Sequence, residues 1–229
     1  MTKTAIIISW ISLLIVFGLN LWIWRGLPDL PSYPIHWNGQ GIADGFGSKR
    51  QVFFNLHIIP TTMMFTFITF VFVPKLEPKK TNFLASSRPF AILWISLMIF
   101  FAFMHLFIIQ NYIFMNKGAD AFLFNPILGF AIGFNVLFII LGNILGKIRQ
   151  TYMFGIRTPW TLSSEQAWDI THRIVGQLMV GLHVLGLISL LFVTPLQGLL
   201  IGVGLPLVSV IAAFVISYNV WKNDPDKRT

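Results

Sequence analysis

The sequence predicts an all-α integral membrane protein, a bundle of six transmembrane helices with both termini in the cytoplasm. Three observations lead to this fold class. Of the 229 residues, 55% are hydrophobic and only 10% are charged, whereas soluble domains contain about 25% charged residues. Six separate segments are long and apolar enough to span a bilayer. The basic residues are distributed unequally between the connecting loops, which indicates an orientation.

A membrane helix needs about 20 predominantly apolar residues, and six segments meet this requirement. They are residues 5–24, 53–73, 90–110, 127–146, 174–193 and 197–220. The first is interpreted as a retained helix, because no small-residue cleavage site follows it. Asn125 and Pro126 predict the N-cap and the first helical residue of the fourth span. None of the six contains Asp, Glu, Lys or Arg, which disfavours an ion-coupled transporter.

The basic residues predict which loops lie inside the cell. Both tails, the second loop and the fourth loop contain twelve of the sixteen Lys and Arg residues. The other four are Arg25, Lys49, Arg50 and Lys117. Because basic residues collect in cytoplasmic loops, the net charge of +8 needs no nucleic-acid partner. We expect residues 1–80 to form a two-helix unit with a structured extracellular loop, 25–52. Residues 81–229 then form a four-helix unit with a cytoplasmic loop, 147–173.

Glycines at four-residue spacing mark close helix contacts. They occur at Gly129 and Gly133, at Gly142 and Gly146, and at Gly198 and Gly202. Small residues at this spacing let two helix backbones approach closely. Contacts within the bundle are the favoured interpretation, and a homo-oligomer interface is the alternative. The chain has no cysteine, which excludes disulfides, thiol nucleophiles and thiolate metal sites.

The first loop is too elaborate for a simple connection. Asn38-Gly39 and Asp44-Gly45 predict turns, and three prolines stiffen the segment before them. We expect a compact structure on the outer membrane face. An imidazole, an aromatic ring, an amide and a carboxylate on rigid turns suit the capture of a ligand or peptide; these groups belong to His36, Trp37, Asn38 and Asp44. The alternative is an interfacial loop anchored by Trp37.

The fourth loop contains a second patterned segment. Thr158 precedes Pro159 and should therefore be extended. Ser163 and Gln166 have the spacing of a capping box, which predicts a helix from Ser164. A candidate functional turn on the cytoplasmic side is expected to comprise Arg157, Thr158, Pro159, Trp160, Trp168, His172 and Arg173. The alternative is an interfacial helix with its aromatic and basic side chains at the level of the lipid headgroups.

Within this turn, Arg157, Trp160, Trp168 and His172 are expected to form one unit that serves function more than folding. Trp168 and His172 are one helical turn apart and share a face. Arg157 carries a planar, permanently charged guanidinium suited to a carboxylate or a phosphate. Glu165 and Asp169 are its internal candidates. A partner protein or a lipid headgroup is the alternative.

Three histidines are the only candidates for a metal site, and no cofactor is predicted. His36, His57 and His105 each fall near the outer face on a different segment, and we expect them to approach one another. Imidazoles are ligands that zinc prefers, and Asp44 could join them. No short His-to-His spacing supports such a site. A metal-dependent membrane enzyme and a transporter of small solutes or lipids are kept as alternative functions.

Together the two loops resemble the SdpI family of bacterial membrane proteins, including its N-terminal domain of unknown function. The first block of similarity comprises Leu27-Pro28, Pro34-Ile35-His36-Trp37-Asn38 and Asp44-Gly45-Phe46-Gly47-Ser48-Lys49. The second comprises Gly142-Asn143, the segment from Gly155 to Ser164, Trp168 and Thr171-His172-Arg173. Thr151 stands where the family often has asparagine.

The resemblance implies a function that composition does not reveal. A relative of this kind resides in the bacterial cytoplasmic membrane and protects its producer from a secreted antimicrobial peptide toxin, which favours a binding protein over an enzyme. It also relays detection of the toxin to a small cytoplasmic repressor. The implied partners are therefore the peptide toxin on the outer side, the lipid bilayer and that repressor, with no direct contact to nucleic acid.

Overall fold

The computed structural model describes residues 2–40, 42–113 and 125–227. Within them the chain forms six long helices, which are α1 (Thr2–Gly26), α2 (Lys49–Leu76), α4 (Ser87–Ile113), α5 (Pro126–Leu145), α7 (Glu165–Ser189) and α8 (Pro195–Asn223). Two short helices, α3 (Lys80–Ala85) and α6 (Pro159–Ser163), lie in the connections. The strands are β1 (Tyr33–Trp37) and β2 (Ala43–Gly47). Lys117 and Arg228, which entered the count of basic residues above, lie outside the described residues.

All six long helices are long and apolar enough to cross a membrane, which confirms the predicted multi-pass architecture. Asn125 caps α5 by accepting hydrogen bonds from the next two available backbone N–H groups, with Pro126 first in the helix, as predicted. The fifth helix begins at Glu165, well before the predicted residue 174. Hydropathy missed its first two turns because they combine exposed polar residues, such as Glu165 and Asp169, with residues such as His172 that are buried by the protein.

The long helices pack in two groups of three. Helices α1, α2 and α4 contact one another, as do α5, α7 and α8, and α4 packs against α5 between the groups. The expected division at residue 80 stays a prediction. Because the number of spans is even, the start of α1 and the end of α8 lie at one end of the bundle, here called the terminal end. The opposite end, which carries the strands, is called the hairpin end.

Close contact between α5 and α7 depends on a pair of facing glycines. A Cβ on Gly142 would lie 2.7 Å from the carbonyl oxygen of Gly176, and a Cβ on Gly176 would lie 2.6 Å from that of Gly142. Farther along α5, Gly129 makes room for the ring of Phe107 on α4. These glycines therefore serve contacts within the chain, the interpretation that the sequence favoured.

Each helix group contains a buried histidine paired with an asparagine. The Nε2 atom of His105 lies 2.6 Å from Oδ1 of Asn20, whose Nδ2 donates to the carbonyl of Leu56 at 2.6 Å. The Nδ1 atom of His183 lies 2.9 Å from Oδ1 of Asn135. An amide oxygen only accepts, so the imidazole donates in both pairs. Because the bilayer core offers no water to replace these bonds, they fix how the bonded helices are rotated relative to one another.

A β-hairpin between α1 and α2 is the exception to the predicted all-α fold. Strands β1 and β2 pair antiparallel. In the connection between them, the Asn38 side chain accepts hydrogen bonds from the backbone N–H groups of Gln40 and Ile42, both at 3.0 Å. This asparagine bond is the mechanism that makes Asn38-Gly39 a turn signal, and the predicted turn is confirmed.

The turn predicted at Asp44-Gly45 is wrong, because both residues lie within β2. Gly45 is paired with His36 across the hairpin, beside irregularities in the register. A Cβ on Gly45 would lie only 2.9 Å from the Cβ of His36. The glycine is therefore explained by the close approach of the two strands, which sequence alone does not distinguish from a turn.

The facing glycines of α5 and α7 give a test of the bundle. Gly176→Ala should lower the free energy of unfolding by about 1–3 kcal/mol, because the added methyl group overpacks the contact with Gly142. Thermal unfolding of the purified protein in detergent measures this loss. Gly181→Ala is the matched control on the same helix, because a Cβ there meets no atom within 4 Å. Equal stability of the two variants would contradict the close α5–α7 contact.

Candidate functional site

A cleft of about 300 Å³ lies at the hairpin end, between the hairpin and helices α2, α4 and α5. The hairpin contributes Ile35, His36, Trp37 and Asn38 to its lining. The helices contribute Asn55, Ile58, Phe107, Ile108, Asn111, Pro126, Ile127 and Phe130. Its walls are mostly apolar, with asparagine amides set among them. Three of the four residues predicted for toxin capture thus meet at one cavity, and Asp44 is outside its lining.

Contacts to the helices fix the position of β1 beside this cleft. The ring of Trp37 packs edge-to-face against Tyr112 of α4, with ring centroids 6.0 Å apart. The Nδ2 atom of Asn55 donates to the carbonyl of Ile35 at 2.6 Å. The hairpin is therefore attached to both α2 and α4, and its side chains are presented to the cleft in a defined geometry.

His36 and Asp44 form an exposed pair on the hairpin. The Nδ1 atom of His36 lies 2.5 Å from Oδ1 of Asp44, and the two side chains remain 70% and 45% exposed. Exposed pairs of this kind contribute about 0–1 kcal/mol to stability. Both groups can therefore exchange this contact for one to a ligand at little cost.

Asn111 offers the cleft an unused hydrogen-bond acceptor. Its Nδ2 donates to the carbonyl of Phe107 at 3.0 Å, whereas its buried Oδ1 has no partner among the described residues. A buried acceptor without a partner costs about 1–3 kcal/mol, so a ligand N–H that reached this oxygen would gain a bond that the free protein lacks. Sequence reasoning missed Asn111 because it belongs to no motif. A lone amide at the end of an apolar span was the available signal.

The three histidines do not form a metal-binding group, and their approach to one another stays a prediction. Among residues 2–40, 42–113 and 125–227, no group of three or more His, Asp or Glu side chains could hold a metal ion. His36 pairs with Asp44, and His105 pairs with Asn20. The Nδ1 atom of His57 lies 2.7 Å from the carbonyl oxygen of Phe53 on its own helix. Each imidazole is thus engaged by a different element.

At the terminal end, a buried carboxylate connects the end of α2 to the loop after α5. Glu77 is 0% exposed. Its Oε2 accepts hydrogen bonds from the backbone N–H groups of Tyr152 and Met153 at 2.9 and 2.8 Å, and its Oε1 accepts from that of Lys79 at 2.9 Å. Sequence reasoning missed Glu77, although a single acid in an otherwise basic loop was a visible signal.

Two further bonds join the same two segments, and a third lies within the loop after α5. Asn82 donates to the carbonyl of Gln150 at 2.9 Å, and the backbone N–H of Arg149 donates to Oγ of Ser86 at 2.8 Å. The Gln150 side chain donates to the carbonyl of Thr161 at 2.7 Å. We call Glu77, Asn82 and Ser86, with the segment 149–153 that they hold, the clasp. It joins the first helix group to the loop that precedes α7.

Trp168 and His172 form the buried centre of this loop, and both are 0% exposed. Their rings stack with centroids 4.0 Å apart, and Nε1 of Trp168 donates to the carbonyl of Ile148 at 2.7 Å. The Nδ1 atom of His172 donates to the carbonyl of Trp168, and its Nε2 accepts from the N–H of Ile156, both at 2.8 Å. An imidazole that donates through one nitrogen and accepts through the other is neutral.

The glycine of the Gly-Ile-Arg segment is required by this stacked pair. Gly155 has a φ of +114°, a backbone conformation that glycine adopts without strain. A Cβ there would lie 2.7 Å from the Trp168 ring and 2.8 Å from Nε2 of His172. The expected four-residue unit is therefore divided, because Trp168 and His172 are packed inside the loop while Arg157 is exposed.

The loop between Arg157 and α7 contains a helix that the sequence did not predict. Thr158 is extended, as predicted, with φ −83° and ψ 160°. Its side chain caps α6 by accepting from the N–H of Thr161 at 3.1 Å, and Pro159 is the first residue of that helix. Trp160, half-buried on α6, packs edge-to-face against Tyr218 of α8.

The predicted N-cap of α7 is off by one residue. Ser164, not Ser163, accepts from the N–H of Ala167 at 2.8 Å, because Ser163 is the last residue of α6. The Oγ atom of Ser164 also donates to Oδ2 of Asp224 at 2.5 Å. This hydrogen bond holds the pKa of the Asp224 carboxyl below its usual range. One hydroxyl thus starts α7 and fixes the end of α8.

Arg157 does not pair with the internal acids expected for it. Its Nη1 donates to the carbonyl of Tyr152 at 2.6 Å, and no carboxylate of the described chain forms an ion pair with it. Asp169 lies 3.7 Å from Arg149 instead. Arg173 is exposed and lines a separate polar cleft with Arg149 and Lys147.

Comparison with known proteins agrees with this arrangement. The model of the SdpI/YfhL protein family matches residues 147–218, and that of a domain of unknown function, DUF1648, matches residues 11–59. The chain is 27% identical over 221 residues to "Immunity protein SdpI" of Bacillus subtilis (strain 168), covering 94% of this chain and 95% of that protein. The chain is therefore similar to the SdpI/YfhL family in both of its patterned regions. No solved structure matches it significantly.

Thr151 stands where the SdpI pattern often has asparagine, and its side chain has its own backbone hydrogen bond. Thr151 is 0% exposed, and its Oγ1 donates to the carbonyl of Phe154 at 2.7 Å. The hydroxyl closes the turn that precedes Gly155. In this chain the position is therefore filled by a short side chain with its own backbone partner.

The Glu77 contact predicts a measurable loss of stability. Glu77→Gln replaces one acceptor oxygen by an amide that cannot accept from the backbone N–H groups. We expect the free energy of unfolding to fall by about 1–3 kcal/mol, measured by thermal unfolding in detergent. Glu165→Gln, which removes an exposed carboxylate at the start of α7, is the control and should change stability far less. An unchanged melting temperature in Glu77→Gln would contradict the stabilising role of the clasp.

Proposed function

We propose that the chain is an immunity protein of the bacterial cytoplasmic membrane that protects its producer from a secreted peptide toxin. The similarity to the Bacillus subtilis immunity protein over nearly the full length of both chains supports this proposal. In the proposed orientation both termini are cytoplasmic, as the charge distribution favours. The hairpin end then faces the medium from which the toxin arrives.

The toxin is proposed to bind in the cleft at the hairpin end. The observation that carries the proposal is the position of the family-pattern segment of β1, which forms one wall of an apolar cleft. Peptides that attack membranes lie in the interface with an apolar face buried among the lipids. The cleft offers such a face an apolar site, and Oδ1 of Asn111 offers its backbone an acceptor. His36 and Asp44 lie beside it for polar groups of the peptide.

A relay to a cytoplasmic repressor is proposed to run along α4. Asn111, near one end of this helix, lines the toxin cleft. Ser86, directly before its other end, belongs to the clasp. A shift of α4 caused by an occupied cleft is thereby transmitted to the loop that presents Arg157 and Trp160 to the cytoplasm.

Filling the cleft should abolish protection without unfolding the protein. Ile58 lines the cleft but is 59% exposed, so Ile58→Trp adds volume at a position that the core does not depend on. We expect cells that express it to become as sensitive as cells without the gene to the toxin against which the Bacillus subtilis relative gives immunity. Survival is measured over a range of toxin concentrations.

Ile68→Trp is the matched control for that experiment. Ile68 lies on the same helix, is 45% exposed and is outside the cleft lining. Both variants must be present in the membrane fraction at the wild-type level, as measured by immunoblotting. Full resistance in Ile58→Trp, or equal loss of resistance in both, would rule out the cleft as the toxin site.

The orientation can be tested by thiol labelling, because the chain has no cysteine of its own. Gln40 in the hairpin connection and Gln166 in α7 are both exposed. We expect Gln40→Cys to react with an impermeant maleimide on intact cells. Gln166→Cys should react only after the cells are lysed. The opposite labelling would invert the proposed topology.

A further inference from the structure

A groove of about 280 Å³ at the terminal half of the second helix group is separate from the toxin cleft. It runs between α5, α7 and α8. Its apolar walls include Phe138, Met179, Pro206, Val210 and Phe214. At one end the lining changes to Arg157 and Thr158, in the loop outside the spans. The groove therefore combines an apolar body within the membrane with a cation at the membrane boundary.

Arg157 is equipped to bind an anion at this boundary. Its side chain is exposed, and the carbonyl of Tyr152 engages only one of its nitrogens. Within the described segments no carboxylate neutralises it. A guanidinium offers five N–H donors in a planar fork that matches phosphate geometry. The hydrogen bond to Tyr152, in the loop that the clasp holds, fixes where the remaining donors lie.

We propose that this groove binds one anionic phospholipid, with an acyl chain along the apolar walls and the headgroup phosphate on Arg157. Charge complementarity selects an anionic lipid, because Arg157 lacks a carboxylate partner. The apolar body selects a lipid over a soluble phosphate ester. Packing does not explain the arginine of the Gly-Ile-Arg segment, and a lipid site gives it a role. This site does not depend on the proposed immunity function.

Native mass spectrometry of the purified protein with added phosphatidylglycerol tests this site. We expect Arg157→Ala to weaken phosphatidylglycerol binding about ten-fold, the effect of losing roughly 1.4 kcal/mol of charge-assisted hydrogen bonding. Arg157→Lys should retain part of the affinity. Arg88→Ala, an equal loss of charge at an exposed position on α4, is the control and should bind like the wild type.

A second variant fills the groove while leaving Arg157 in place. Val210 lines the groove and is 51% exposed, so Val210→Trp obstructs it at low risk to folding, and we expect a similar loss of binding. Wild-type affinity in either Arg157→Ala or Val210→Trp would overturn the proposal. Equal binding of phosphatidylcholine and phosphatidylglycerol would also overturn it, as would full competition by inorganic phosphate, since the site would then lack selectivity for an anionic lipid.

Discussion

The buried carboxylate of Glu77 is the interaction on which the terminal end of the bundle depends. It is fully buried and collects three backbone N–H groups, two of them from the loop after α5. By holding that loop, it places Ile148 and Ile156 where Trp168 and His172 bond to them. The start of α7, and through it the close contact with α5, follows from this arrangement.

The features that local chemistry decides could be predicted from the sequence, and those that tertiary contacts decide could not. Hydropathy found all six spans, and proline chemistry placed Pro126 and Thr158 correctly. The α7 cap moved to Ser164 because Ser163 is the last residue of α6, and the Ser164 hydroxyl is also held by Asp224, sixty residues distant. At the candidate site, the pattern found the wall formed by His36 and Trp37. It missed Asn111, whose buried Oδ1 has no hydrogen-bond partner among the described residues.

The residues of the family pattern therefore fall into two groups, one explained by packing and the other by outward-facing hydrogen-bonding groups. Gly155, Trp168 and His172 satisfy one another inside the loop, and a change at any of them disturbs packing first. Arg157 and the hairpin segment are held in place by the fold but direct unused hydrogen-bonding capacity outward. The two proposed binding surfaces thus lie at opposite ends of the bundle, each supported by buried polar contacts that a membrane protein cannot obtain from solvent.

Site-specific photocrosslinking measures most directly whether the hairpin-end cleft meets the toxin. A photoreactive amino acid replaces His36, an exposed residue of the cleft lining, in one variant and Ile68 in another, and each variant is irradiated in membranes with the labelled toxin of the Bacillus subtilis system. We expect a crosslinked product from position 36 and none from position 68, with unlabelled toxin competing for the first. No crosslink at position 36, or equal yields at both positions, would contradict the proposed toxin site.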